Sequence, residues 1–180
     1  MWELPKYFKN NFSDVSLGFL KFVFSQSEKK LNELVKAGED ITKKAHTILG
    51  ISVTIFTLSL GGLFGFELKD PFIQVFLISI SSIAFVSIAL LIKPLLSYGA
   101  HLLGSDPSDL FKEELIANFT TDLSKEKNLY MNESVNYQGR INYNRKMNLE
   151  RTKYVDLSMY LLVGSPFIGG LLSLFVSRCL

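Results

Sequence analysis

The stretch FIQVFLISISSIAFVSIALLI, residues 72–92, carries no charged side chain and decides the fold class of this chain. A helix rises 1.5 Å per residue, so about 20 apolar residues cross the ~30 Å hydrocarbon core of a bilayer. Two further uncharged stretches of this length cover residues 47–66 and 157–176. The sequence therefore predicts an all-α integral membrane protein with three transmembrane helices and additional cytoplasmic helices.

Polar segments around the three spans divide the chain into four parts. These parts are a cytoplasmic N-terminal amphipathic helix (1–45), a transmembrane hairpin (46–96, with spans near 47–66 and 72–92), a cytoplasmic helical segment (97–153), and a third transmembrane helix with a short external tail (154–180). The hairpin connector is Glu67-Leu68-Lys69-Asp70, and Pro71 suits the first turn of the next helix. So short a connector predicts that the first two spans are antiparallel neighbours.

Lysine and arginine residues predict how the chain is oriented. Residues 1–45 and residues 97–153 contain eight each, whereas the hairpin connector and the C-terminal tail contain one each. Basic residues accumulate on the cytoplasmic side of membrane proteins. We therefore expect the N-terminus and the central segment in the cytoplasm, and the C-terminus outside.

An apolar seam follows the helix predicted over residues 16–45. Its steps alternate between four and three residues, as in a heptad repeat. The seam consists of Leu20, Phe24, Ser27, Leu31, Leu34, Gly38, Ile41 and Ala45. Two interpretations remain open at this point: the seam packs on another helix of the same chain, or it forms the stem of a homo-oligomer.

Hydroxyl and amide side chains are frequent in the first two spans. The candidates for lining a pore are Ser52, Thr54, Ser59, Gln74 and Ser81. Serine and threonine are inexpensive in a membrane helix because their hydroxyls can bond the carbonyl four residues back. They also serve close helix packing, as do Gly61 and Gly65 in the first span. The pattern therefore favours either a wet conduit or a tight helix interface.

A basic stripe precedes the third span, with a net charge of +3 over residues 128–153. The candidates for binding a nucleotide or another phosphate are Asn136, Tyr137, Arg140, Asn144, Arg145 and Arg151. Arginine and asparagine bind phosphate oxygens, and tyrosine stacks on bases. The alternative is a juxtamembrane helix that contacts anionic lipid.

The sequence contains no pattern typical of an enzyme. It lacks a nucleophile motif, a phosphate-binding glycine-rich loop and a metal-ligand cluster. The only histidines are His46 and His101, and Cys179 is the only cysteine. We therefore predict a non-catalytic protein without a metal or cofactor, apart from a regulatory nucleotide ligand.

The order of elements resembles a known class of proteins. A charged amphipathic helix is followed by a two-span hairpin, the turn Gly104-Ser105-Asp106-Pro107, a helix over 107–120, and an Asn/Arg-rich helix that enters another span. This order resembles the small multi-span membrane effectors of bacterial antiphage defence, namely SLATT-type proteins and the effectors of CBASS, Pycsar and Hailong systems.

The resemblance implies a homo-oligomeric ion channel or pore in the bacterial inner membrane. Such an effector disrupts the membrane barrier when a nucleotide or oligonucleotide signal, made by a separate nucleotidyltransferase, changes. Its partners would be the lipid bilayer, other copies of itself and that signal. The alternative function is a membrane anchor or scaffold that recruits a cytoplasmic partner through its helices.

Overall fold

The computed structural model describes residues 14–65, 69–96 and 121–179, and these residues form three helices. They are α1 (Leu17–Gly65), α2 (Pro71–Leu96) and α3 (Asp122–Cys179). Each is long and apolar enough to cross a membrane, which confirms the prediction of three such helices. The turn predicted at 104–107 and the helix predicted over 107–120 lie outside the described residues.

Helix α1 joins two segments that the sequence predicts as separate helices. The helix over 16–45 and the span over 47–66 form one helix of 49 residues. No proline interrupts residues 17–65, so nothing in this stretch removes a backbone hydrogen bond. Ser16 caps the helix, because its Oγ accepts a hydrogen bond from the backbone N–H of Phe19 at 3.2 Å.

Helices α2 and α3 also begin at identifiable caps. The Asp70 carboxylate accepts a hydrogen bond from the Phe72 N–H at 2.9 Å, and Pro71 occupies the first helical position as predicted. Thr121 and Ser124 bond to each other at the start of α3, with Thr121 Oγ1 accepting from the Ser124 N–H at 3.3 Å. Side-chain oxygens thus satisfy N–H groups that a helix start leaves without partners.

The chain divides into two units, residues 1–38 with 100–148 and residues 39–99 with 149–180. In the first unit Leu31, Tyr137 and Ile141 are buried against Phe24 and Leu34. The Phe24 ring meets the Tyr137 ring edge-on at 5.3 Å between centroids. This part of the predicted seam therefore packs on α3 of the same chain.

The second unit buries a cluster that all three helices share. Its members are Ala45, Ile48, Ala84, Leu91, Val155 and Leu162. Small residues bring the helices close together: a Cβ added at Gly169 would lie 3.2 Å from the Phe76 ring. Close approach at small residues is how membrane helices associate, because lipid supplies no hydrophobic driving force between them.

Candidate functional site

A cluster of three serine hydroxyls links the helices of the second unit. Ser52 of α1 lies 3.0 Å from Ser87 of α2, Oγ to Oγ, and the Ser87 hydroxyl also bonds the Ser158 hydroxyl of α3. Ser52 donates to the Ile48 carbonyl at 2.8 Å, whereas Ser158 approaches the Ser87 carbonyl at 3.3 Å. All three side chains are fully buried. We call these residues the serine cluster.

Serine hydroxyls are frequent in the interior of this unit. The buried serines are Ser52, Ser59, Ser81, Ser87, Ser158, Ser165 and Ser173. Large apolar side chains such as Phe85, Phe167 and Phe175 are instead exposed on the outside. Where apolar residues face lipid, polar and small residues are available for contact between helices.

The five pore-lining candidates fall into two groups. Ser52, Ser59 and Ser81 are buried inside the second unit, whereas Thr54 and Gln74 are exposed. The Thr54 hydroxyl bonds the Gly50 carbonyl of its own helix at 2.9 Å. The three serines therefore serve packing within one copy, whereas Thr54 and Gln74 lie on its outer surface.

The predicted phosphate-binding stripe on α3 is also divided. Asn136 and Arg145 are exposed, Arg140 is half-buried with its guanidinium carbon 5.7 Å from the Tyr137 ring centroid, and Tyr137 and Asn144 are buried. The physical reason is that each four-residue step turns about 40° around a helix with 3.6 residues per turn. Successive steps from Asn136 therefore move from the solvent face onto the packed face.

The buried end of the stripe makes specific contacts between helices. In the first unit Asn148 Nδ2 donates to the Leu34 carbonyl at 2.8 Å. In the second unit Arg151 is only 3% exposed, and its Nε donates to the Pro94 carbonyl at 2.9 Å. The Nη2 group of Arg151 donates to Thr42 Oγ1 at 2.6 Å. Both side chains therefore hold helices together.

Two exposed cations, Lys21 and Lys93, lie beside tyrosine rings. Lys21 forms an ion pair of 2.8 Å with Glu126 and lies 5.6 Å from the Tyr130 ring centroid. The hydrogen bond to the Glu126 carboxylate raises the pKa of Lys21 above its ordinary value. Among the described residues no group of three His, Cys, Asp or Glu side chains is placed to hold a metal ion.

Sequence reasoning missed three residues of these contacts, namely Thr42, Pro94 and Ser158. Thr42 lies on a strongly charged helix, and Pro94 lies just beyond the second predicted span, which covers residues 72–92. Ser158 is one of three serines in the third span, and the sequence does not show which of them packs against another helix. The one available signal was the seven-residue spacing of Arg151, Ser158 and Ser165, which places them on one helix face.

No protein-family model, no curated protein and no solved structure matches this chain.

Proposed function

We propose that this chain is a non-catalytic membrane effector of antiphage defence that assembles into a homo-oligomeric ion channel. The observation that carries the proposal is a face of small residues on the outside of α1. This outer small face consists of Thr47, Gly50, Thr54, Thr57, Gly61 and Gly65, all of them exposed. Their spacing of three and four residues keeps them on one side of the helix.

The outer small face differs from the rest of the exposed apolar surface. A Cβ added at Gly50, Gly61 or Gly65 would meet nothing within 4 Å, so there is room for a neighbouring helix. Backbones approach closely at such positions, and van der Waals packing then drives association in lipid. This face therefore favours a second copy of the chain as its neighbour.

Hydroxyl groups on the same face support a conduit as well as an interface. Thr54 and Thr57 bond carbonyls of their own helix at 2.9 Å, so neither hydroxyl needs a partner in lipid. The same hydroxyls can exchange hydrogen bonds with water or a passing ion once copies assemble. Opening and closing would follow a nucleotide signal that binds the solvent-facing residues of the stripe, Asn136, Arg140 and Arg145.

Ion flux from liposomes that contain the purified full chain tests this function. We expect efflux of entrapped potassium, with a size that changes when cyclic mononucleotides or cyclic oligonucleotides are added. Gly61→Leu should abolish both flux and the oligomeric mass in detergent, because its side chain occupies the space of the neighbouring helix. Gly170→Leu is the matched control on α3. Bilayers that stay impermeable under every ligand condition would contradict the proposal.

A membrane scaffold is the second candidate, and a specific observation favours it. Phe19 and Phe22 of α1 and Leu123 of α3 are exposed in the first unit, although all three are large and apolar. Exposed side chains of this kind are suited to binding another protein. A scaffold predicts a monomer in detergent and no effect of Gly61→Leu, so the mass measurement distinguishes the two functions.

A further inference from the structure

The contacts of Arg151 suggest a conformational device at the end of α2. Helix α2 is described as far as Leu96, and the Pro94 carbonyl is one of the last four of this described helix. The partial negative charge of these carbonyls favours a cation beside them. Arg151 supplies that cation from α3, and its Nε donates to the Pro94 carbonyl.

The same guanidinium also reaches α1. Its Nη2 donates to Thr42 Oγ1, so two N–H groups of one planar side chain bond two different helices at once. We propose that Arg151 is a latch that fastens the carboxyl end of α2 to α1 and α3 of the second unit. The latch depends on the shape of the guanidinium, with donors fixed in a fork, and not on positive charge alone.

The contact of Arg151 is buried, which distinguishes it from the contact that an exposed basic residue makes with lipid headgroups. Arg151 and Pro94 are buried, so neither partner can replace the other with water without opening the unit. Lys93 provides a comparison on the same turn of α2. Its Nζ donates to Tyr154 at 2.9 Å, but the contact is exposed and competes with water. Arg151 therefore makes a buried polar connection between the end of α2 and the other two helices.

Lysine cannot take over this role. Its ammonium is a single compact group on a flexible stem, so it keeps the charge but lacks the two donors held at a fixed distance. A residue that only marks the cytoplasmic side or binds a phosphate would tolerate lysine. The latch, in contrast, should open in Arg151→Lys.

A buried thiol reports on the latch without any measurement of flux. The reporter is Ala45→Cys in a Cys179→Ser background, because Ala45 is fully buried in the cluster that also contains Leu91. We expect a water-soluble maleimide to modify this thiol slowly in detergent micelles when Arg151 is present. Arg151→Lys should accelerate modification by about tenfold or more, as the loss of a buried hydrogen bond favours local opening.

Two companion variants make the test decisive. Thr42→Val keeps the volume but removes one acceptor, so we expect an acceleration smaller than that of Arg151→Lys. Arg145→Lys makes the same exchange at an exposed position and should leave the rate unchanged. A slow rate in Arg151→Lys overturns the latch. Should Arg151→Lys lose its helical circular dichroism, Thr42→Val decides alone, and an unchanged rate there overturns the latch. The channel proposal is unaffected by either result.

Discussion

Ser165 shows how one side chain corrects a backbone defect. Pro166 lies inside α3 and has no N–H, so the carbonyl of Leu162 loses its usual donor four residues on. The Ser165 hydroxyl donates to this carbonyl at 2.8 Å. Neighbouring serine hydroxyls are a known means of satisfying carbonyls that proline frees in membrane helices. The helix therefore continues from Asp122 to Cys179.

We predict that Ser165→Ala destabilises the protein more than Ser173→Ala does. Both serines are buried on α3, but the carbonyl that Ser173 contacts at 2.8 Å belongs to Gly169 and keeps its backbone donor. Leaving the Leu162 carbonyl without a donor should cost about 1–3 kcal/mol of unfolding free energy. Thermal unfolding in detergent, followed by circular dichroism, measures the difference. Equal stabilities of the two variants would contradict this role of Ser165.

The sequence did not predict which individual residues of the basic stripe are packed against another helix. Helical spacing places Asn136, Asn144 and Arg151 on a broad side of one helix. It does not show which part of that side packs, because polar residues are expected in solvent and the pattern carries no sign of the partner helix. Arg151 donates to a main-chain carbonyl of Pro94, and main-chain acceptors leave no trace in a sequence.

At the scale of helices, the heptad seam was the most informative pattern. Leu20, Leu31 and Ala45 are buried, and the buried positions continue into the span at Ile48 and Ser52. The helix crosses residues 45–47 without a break, so the repeat continues as well. Its partner could not be predicted, since a seam for self-association and a seam for α3 need the same apolar residues.

The sequence also does not show whether the serines of the spans face the interior of the helix bundle or the outside. In a soluble helix, the contrast between apolar and polar faces indicates the buried side. A transmembrane helix is apolar all round, so small differences decide, and here the hydroxyls of Ser52, Ser87 and Ser158 lie inside. Periodicity shows which residues of one helix share a face, but only the packing of three helices shows which face of each helix is internal.

The serine cluster leads to a prediction about how the three helices hold together. Ser87→Ala removes the hydroxyl that bonds both Ser52 and Ser158, and we expect a loss of about 0.5–1.5 kcal/mol. Ser82→Ala is the control on α2, because its exposed hydroxyl bonds only the Ile78 carbonyl at 2.8 Å. Chemical unfolding in mixed micelles compares the two. A Ser82→Ala protein as unstable as Ser87→Ala would show that the cluster contributes nothing.

At the scale of the whole molecule, the number of spans determines where the ends of the chain lie. An odd number of crossings places the two termini on opposite sides of the membrane. The concentration of lysine and arginine before the first span and between the second and third spans predicts that these segments lie on the cytoplasmic side. Three apolar helices and their order were predictable because a run of 20 uncharged residues has few other uses in a protein.

The single cysteine allows this topology to be tested in the unmodified chain. We predict that a membrane-impermeant maleimide labels Cys179, which is exposed, in intact spheroplasts. A Lys29→Cys variant in a Cys179→Ser background should be labelled only after permeabilisation, because Lys29 is an exposed residue of the segment that we predict to be cytoplasmic. Labelling is read from gel shifts. Protection of Cys179 in intact spheroplasts would reverse the orientation or change the number of spans.

The members of the serine cluster are synthesised at different times. Ser87 is synthesised 71 residues before Ser158, and a ribosome that adds roughly 5–20 residues per second needs about 4–14 s for that distance. During this interval Ser52, already made, is the only member of the cluster that Ser87 can bond. The nascent hairpin of α1 and α2 therefore lacks the Ser158 partner of Ser87 for several seconds. During this interval a chaperone or a neighbouring nascent chain can compete with α3.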